Sequence, residues 1–150
     1  MESAKLHVKN LPISTKNSVE ICKFIRNLEL NKAKTILSNV VQKKQAVPYF
    51  RYRKDTPHKP GLAAARFPVN ASQHILKSLE SVEQNALKSG MSTNLIISHI
   101  SASKGAVQWH YGRQRRRKNK ATSIRIILNE IKETKKEKPK NNTKKVETKK

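Results

Sequence analysis

An α+β fold, three helices packed on a small three-stranded antiparallel sheet with one long basic β-hairpin projecting from it, is what this 150-residue sequence predicts. Three observations carry that reading. Apolar residues recur at helical spacing in three separate stretches. Three short runs rich in isoleucine, leucine and valine alternate apolar with polar side chains, as half-buried strands do. The charge, a formal net +23, is balanced or absent over residues 35–42, 67–103 and 121–131 and gathers in basic blocks between and after them. With 35% hydrophobic and 5% aromatic residues the chain can build one thin core, so a folded unit over residues 1–131 is expected, followed by a lysine-rich tail over 132–150.

The elements follow in order. Leu6 to Asn10 sets Leu6 and Val8 against His7 and Lys9 and reads as a short strand. Thr15 is a helix N-cap, and Val19, Cys22, Ile25 and Leu28 recur every three residues along a helix over 15–28. Asn31 caps a second helix, in which Ala33, Ile36, Leu37, Val40 and Val41 fill the i, i+3, i+4, i+7, i+8 pattern of one buried face. Residues 44–70 contain Pro48, Pro57, Pro60 and Pro68, which fix φ and remove N–H donors, so an extended basic insertion is expected there. A third helix starts near Asn70 to Ser72, turns Ile75, Leu76, Leu79, Val82, Ala86 and Leu87 inward, and stops at Gly90. Leu95 to Ala102 and Ser123 to Asn129 are the two long strands, the second alternating Ile124, Ile126 and Leu128 with Arg125, Ile127 and Asn129. The block 104–121 between them has Gly105, Gly112, no proline and few apolar residues. One antiparallel hairpin whose far end projects beyond the core accounts for this best, an unpaired loop being the alternative. In the tail Val146 is the only apolar residue, and disorder in water is expected.

Several functions are excluded. Cys22 is a single cysteine and cannot form an internal disulfide or seed a zinc ribbon; on an apolar helical stripe it reads as core. The histidines His7, His58, His74, His99 and His110 are scattered, with no spacing that would put two nitrogens on one metal. Glu80 and Glu83, the closest helical carboxylates, read as a solvated shoulder, and there is no carboxylate cluster for metal-assisted phosphodiester cleavage. No enzymatic activity and no cofactor are expected. No run reaches membrane-spanning length and the first residues carry no leader pattern, so an intracellular, soluble chain is expected, with the Asn70 and Asn141 sequons as chance matches.

The basic blocks offer phosphate chemistry instead. Residues 43–66 carry seven Lys and Arg against one Asp, residues 104–120 seven against none, and residues 132–150 nine against three Glu, while 67–103 and 121–131 are neutral. Such one-sided charge opposes compaction and calls for a polyanionic partner. In the block 104–120 Arg113, Arg115, Arg116, Arg117, Lys118 and Lys120 follow Trp109 and Tyr111, so guanidinium forks that grip phosphates stand beside rings that stack on unpaired bases. The insertion repeats the mixture with Tyr49, Phe50, Arg51, Tyr52, Arg53 and Lys54. Irregular RNA exposes base faces that B-form DNA hides, so RNA is the better fit. A nuclear-import or merely solubilising patch is the alternative for either run alone.

Val8-Lys9-Asn10, Lys32-Ala33, QKKQAVPYFRY at 42–52, RFPVNASQHILKSLESVEQNALKSGM at 66–91, LIISHI at 95–100 and the hairpin's Gly112-Arg113 occur in a telling order and spacing. Through them the chain, over roughly residues 5–131, resembles the universal large-subunit ribosomal protein L twenty-two family, L seventeen in eukaryotic naming, in its archaeal and eukaryotic branch. The resemblance implies a structural constituent of the large subunit of a cytosolic ribosome. Its domain would bind large-subunit rRNA near the tunnel exit, and its hairpin would line the nascent-polypeptide tunnel beside ribosomal protein L four, without membrane or homo-oligomer. The implied rRNA contacts are Lys104, Trp109, Tyr111, Gly112, Arg113, Arg115, Arg116, Arg117, Lys118 and Lys120 in the hairpin. In the insertion and body they are Lys43, Lys44, Tyr49, Arg51, Tyr52, Arg53, Lys54, Lys59 and Arg66. His110-Tyr111-Gly112-Arg113 stands where the family has Ala-x-Gly-Arg, and hairpin and insertion are a few residues shorter than is usual in eukaryotes. A free-standing RNA or DNA chaperone or architectural protein is the rival reading.

Overall fold

A computed structural model describes residues 3–130, so the lysine-rich tail falls outside the described residues. The chain runs through β1 (Ser3–Leu11), α1 (Thr15–Ile25), α2 (Leu30–Val41), β2 (Val47–Pro48), β3 (Ala65–Arg66), α3 (Val69–Lys88), β4 (Leu95–Lys104) and β5 (Thr122–Glu130). β5 is the central strand of an antiparallel sheet in the order β1-β5-β4, with Leu6 opposite Ile126 and Ile100 also opposite Ile126. The alternation read from the sequence sets its faces: Ile124, Ile126 and Leu128 are fully buried, and Ile97 and Ile100 of β4 join them. α1 packs over β4, α3 over β1, and α2 rests on α3, which covers one face of the sheet with helices. The α+β architecture is therefore the one expected.

Differences from the sequence reading have local causes. α1 begins after Ser14 rather than Thr15 and stops at Ile25, three residues before the expected end. Arg26 is extended and Asn27 is left-handed at φ 62°, which lets the Asn27 N–H donate to the Ile97 carbonyl (3.0 Å) and the Ile97 N–H to the Leu28 carbonyl (3.0 Å). The chain thus lies along the edge of β4, with Glu29 bridged to Ile96, and hydrogen bonding to a strand displaces the last helical turn. Glu29, not Asn31, occupies the N-cap position of α2. In α1 Ile21 is fully buried while Val19 is half-buried, because the helix meets the sheet along Ile21, Cys22 and Ile25. Leu87 of α3 is exposed rather than inward; Ala86 takes the last core position. Gly90 does end that helix: its φ of +75° lets the Met91 N–H reach the Ala86 carbonyl (3.1 Å) and its own N–H the Leu87 carbonyl (3.0 Å), a Schellman closure.

The insertion is less extended than its prolines suggested. Val47 pairs with Arg66 and Pro48 with Ala65, so β2 and β3 pinch residues 49–64 into a closed loop that turns at Pro60-Gly61, where Gly61 supplies φ +71°. The stretch between β4 and β5 is paired rather than an open loop. Beyond the last ladder pair, Lys104 and Thr122, the Gly105 N–H donates to the Ala121 carbonyl (3.0 Å). Pairing lapses for a few residues and resumes with Asn119 N–H to Gln108 carbonyl (2.8 Å), the Trp109–Lys118 bridge, and His110 N–H to Arg117 carbonyl (2.8 Å). A single 3-10 turn at Gly112–Gln114, entered through Gly112 at φ +72°, closes the end.

The root of this hairpin is tied to the body. Thr122 is fully buried; its Oγ1 donates to the Ile13 carbonyl (2.8 Å) and lies 2.8 Å from the Thr15 hydroxyl at the start of α1.

Candidate nucleic-acid interface

A buried acid organises the insertion. Glu20, on α1, is inside the protein, and its carboxylate accepts three backbone N–H bonds from the loop: Phe50 on Oε2 (3.0 Å), Arg51 on Oε1 (3.0 Å) and Tyr52 on Oε1 (2.7 Å). Three charge-assisted bonds to one ion hold consecutive residues in a fixed arc. Phe50 is consequently turned outward, 55% exposed, with the Lys23 ammonium 4.7 Å from its ring centroid. The half-buried Tyr52 ring has the Arg51 guanidinium at 5.2 Å and Lys16 at 6.0 Å. Cations seated beside these rings make the assembly basic, and Phe50 keeps more than half of its surface exposed.

Tyr49 does not belong to this surface. It is 3% exposed and packs in the core, because the Val47–Pro48 strand directs it inward, and burial pushes its phenol up from the ordinary value. It cannot stack on a base, which corrects the expectation. Lys43, Lys44, Arg51, Arg53, Lys54 and Arg66 are exposed, and Lys59 is half-buried with its ammonium 5.8 Å from the Phe67 centroid.

The hairpin carries the second surface. Trp109 is 58% exposed with the Lys118 ammonium 4.2 Å from its ring centroid, and Tyr111 is 94% exposed. Arg113, Arg115, Arg116 and Arg117 surround an open cleft of about 460 Å³ past the turn. Lys104 is exposed at the root, and Lys120 lines a smaller cleft with Ser14 and Asn17 at the start of α1 and Val69 and Asn70 at the start of α3. Both helix starts lack a side-chain cap and an acidic residue, so their positive ends add to the Lys120 charge. The two ion pairs among the described residues, Lys32–Glu29 and Lys34–Glu83, use no cation of either surface. Among the described residues, those guanidinium and ammonium groups therefore have no carboxylate to displace before meeting a phosphate.

Phe50, Lys16 and Lys23 complete the insertion surface without having been singled out as contacts. Lys16, Glu20 and Lys23 stand at i, i+4 and i+7 of one helix, a spacing that marks a shared face; nothing in the sequence said that the loop would dock on it. Cys22 is core as expected, its thiol pushed up to about 12 by burial, against the direction a nucleophile needs.

The sequence pattern of the ribosomal protein L22p/L17e family matches residues 6–134, nearly the whole of the chain. The chain belongs to that family. The large ribosomal subunit protein uL22 of Nanoarchaeum equitans is 49% identical over 141 residues, covering 87% of this chain and 80% of that protein. The uL22 protein of Methanopyrus kandleri is 40% identical over 138 residues, 85% and 87% of the two chains, and that of Picrophilus torridus 41% over 103 residues, 69% of each. These relatives set the L22p/L17e chain in the archaeal branch, and the class is one of structural, non-enzymatic ribosomal proteins.

Proposed function

We propose that this L22p/L17e protein is a structural constituent of the large subunit of a cytosolic ribosome. It binds large-subunit rRNA through the Glu20-anchored insertion and the basic hairpin, and the hairpin lines the nascent-polypeptide tunnel next to ribosomal protein L four. The observation that supports the proposal is the hairpin itself: backbone pairing lapses past its root but resumes at Trp109 and Lys118, while every cation on it is exposed and none has an acidic partner among the described residues. At about 3.3 Å per residue, the stretch from Gly105 to Arg113 reaches roughly 25 Å. An arm that long and that charged is stabilised by a polyanionic surrounding, and rRNA supplies one.

Gradient sedimentation of the tagged chain, with sequencing of RNA crosslinked to it, tests the reading. Stoichiometric migration with the large subunit and crosslinks to one set of rRNA positions are expected. Exchangeable binding to many sequences, away from the particle, would instead identify a free-standing chaperone.

A further inference from the structure

We propose that a hollow between α1 and the insertion receives one unpaired nucleobase of the bound RNA. The inference rests on the RNA-binding reading above and adds to it a site that the charge pattern does not mark. Phe24 of α1, Pro48 of β2 and Phe67 just past β3 wall an open hollow of about 410 Å³. Ligand pockets start near this size, and a single heteroaromatic ring is well within it. Phenyl and proline walls are flat and apolar, the surfaces on which bases stack in single-stranded RNA recognition. Gln45 also lines the hollow, and its amide offers a donor and an acceptor to the edge of a base.

The rim decides the occupant. Lys44 and Lys59 line the same hollow, no carboxylate among the described residues does, and the Lys59 ammonium stands 5.8 Å from the Phe67 ring centroid. An apolar side chain from a neighbouring protein would fill the walls but leave both ammonium groups without a counter-charge. A nucleotide brings the flat ring and its phosphates together.

Trp109 is the only tryptophan, so in a full chain carrying Trp109→Phe and Phe67→Trp the tryptophan emission comes from the hollow alone. An eight-nucleotide oligoadenylate should quench that emission, whereas inorganic polyphosphate, which has charge but no base, should not. Phe24→Leu and Phe67→Leu, which keep an apolar wall but lose its flatness, should each weaken oligoadenylate binding about tenfold, the loss of one stacked base. Ala46→Leu, which fills the hollow and removes no wall, should do the same and keeps the test decisive where a phenylalanine variant fails to fold. Tight oligoadenylate binding without quenching, unchanged in all three variants, overturns the hollow and leaves RNA binding standing. Binding of rRNA fragments no tighter than polyphosphate overturns the RNA reading and this proposal with it. In assembled subunits a photo-crosslinker placed at Leu62, also on the hollow wall, should attach to RNA; attachment to a neighbouring protein overturns the proposal.

Discussion

Burying a carboxylate is costly unless hydrogen bonds replace its water, and for Glu20 the amides of Phe50, Arg51 and Tyr52 do so. Glu20→Ala leaves those three donors unanswered and should cost about 2–4 kcal/mol, read as a fall of roughly 10 °C in melting temperature by circular dichroism. Glu20→Gln keeps one acceptor oxygen and turns an amide N–H₂ toward the remaining donors, so an intermediate loss is expected, with RNA contacts of the insertion weakened in both variants. Cys22 makes a prediction of opposite chemistry. Its thiol stays protonated up to about pH 12 in the folded protein, whereas the unfolded thiol ionises near 9.0. The folded state then holds the extra proton, so this contribution is intact below pH 9 and is lost as pH rises from 9 toward 12, at about 1.4 kcal/mol per pH unit. Denaturation midpoints followed with pH should fall less steeply above pH 9 in Cys22→Ala than in the parent chain.

At the scale of elements, the hairpin beyond Gly105 and Ala121 contributes nothing to the buried core, since residues 106–113 and 115–120 are exposed apart from the half-buried Val107. The Gly105–Ala121 hydrogen bond is a suitable closing pair for a two-residue turn. Replacing 106–120 with Asn-Gly should therefore leave the melting temperature within about 3 °C; a large drop would show that the arm supports the fold. This division between core and arm was legible in the sequence because burial and charge exclude each other: Ile124, Ile126 and Leu128 announce one face, and the arginine run announces solvent or phosphate. What could not be read there depends on contacts distant in sequence. The last turn of α1 yields to the edge of β4, the Tyr49 ring enters the core through a strand of two residues, and Phe50 is turned outward by a glutamate thirty positions earlier. An aromatic–basic run looks the same whichever of its rings faces in, so local pattern located the surface but did not choose between Tyr49 and Phe50.

For the whole molecule the +23 charge would make the proposed association with RNA a counterion-release process. Binding to rRNA fragments should weaken steeply with salt, and the Asn-Gly variant, which lacks Arg113, Arg115, Arg116, Arg117, Lys118 and Lys120, should lose up to about 4 to 5 from the slope of log affinity against log salt. Filter-binding titrations over a range of salt concentrations measure it; equal slopes for the two chains would remove the arm from the interface.

One short helix joins the two surfaces. The Thr15 hydroxyl meets Thr122 at the hairpin root, and Glu20, five residues further along α1, grips the insertion. At 1.5 Å per residue the two anchorages are only about 7–8 Å apart along the helix axis, with no linker between them. On the proposed RNA-binding reading, the protein is thereby a preassembled bivalent ligand. Once either surface has captured RNA, the other is presented at a high effective concentration, so a momentary release at one surface is followed by rebinding rather than escape. Residence time on RNA is then set by the rarity of simultaneous release, and it collapses when either surface is removed.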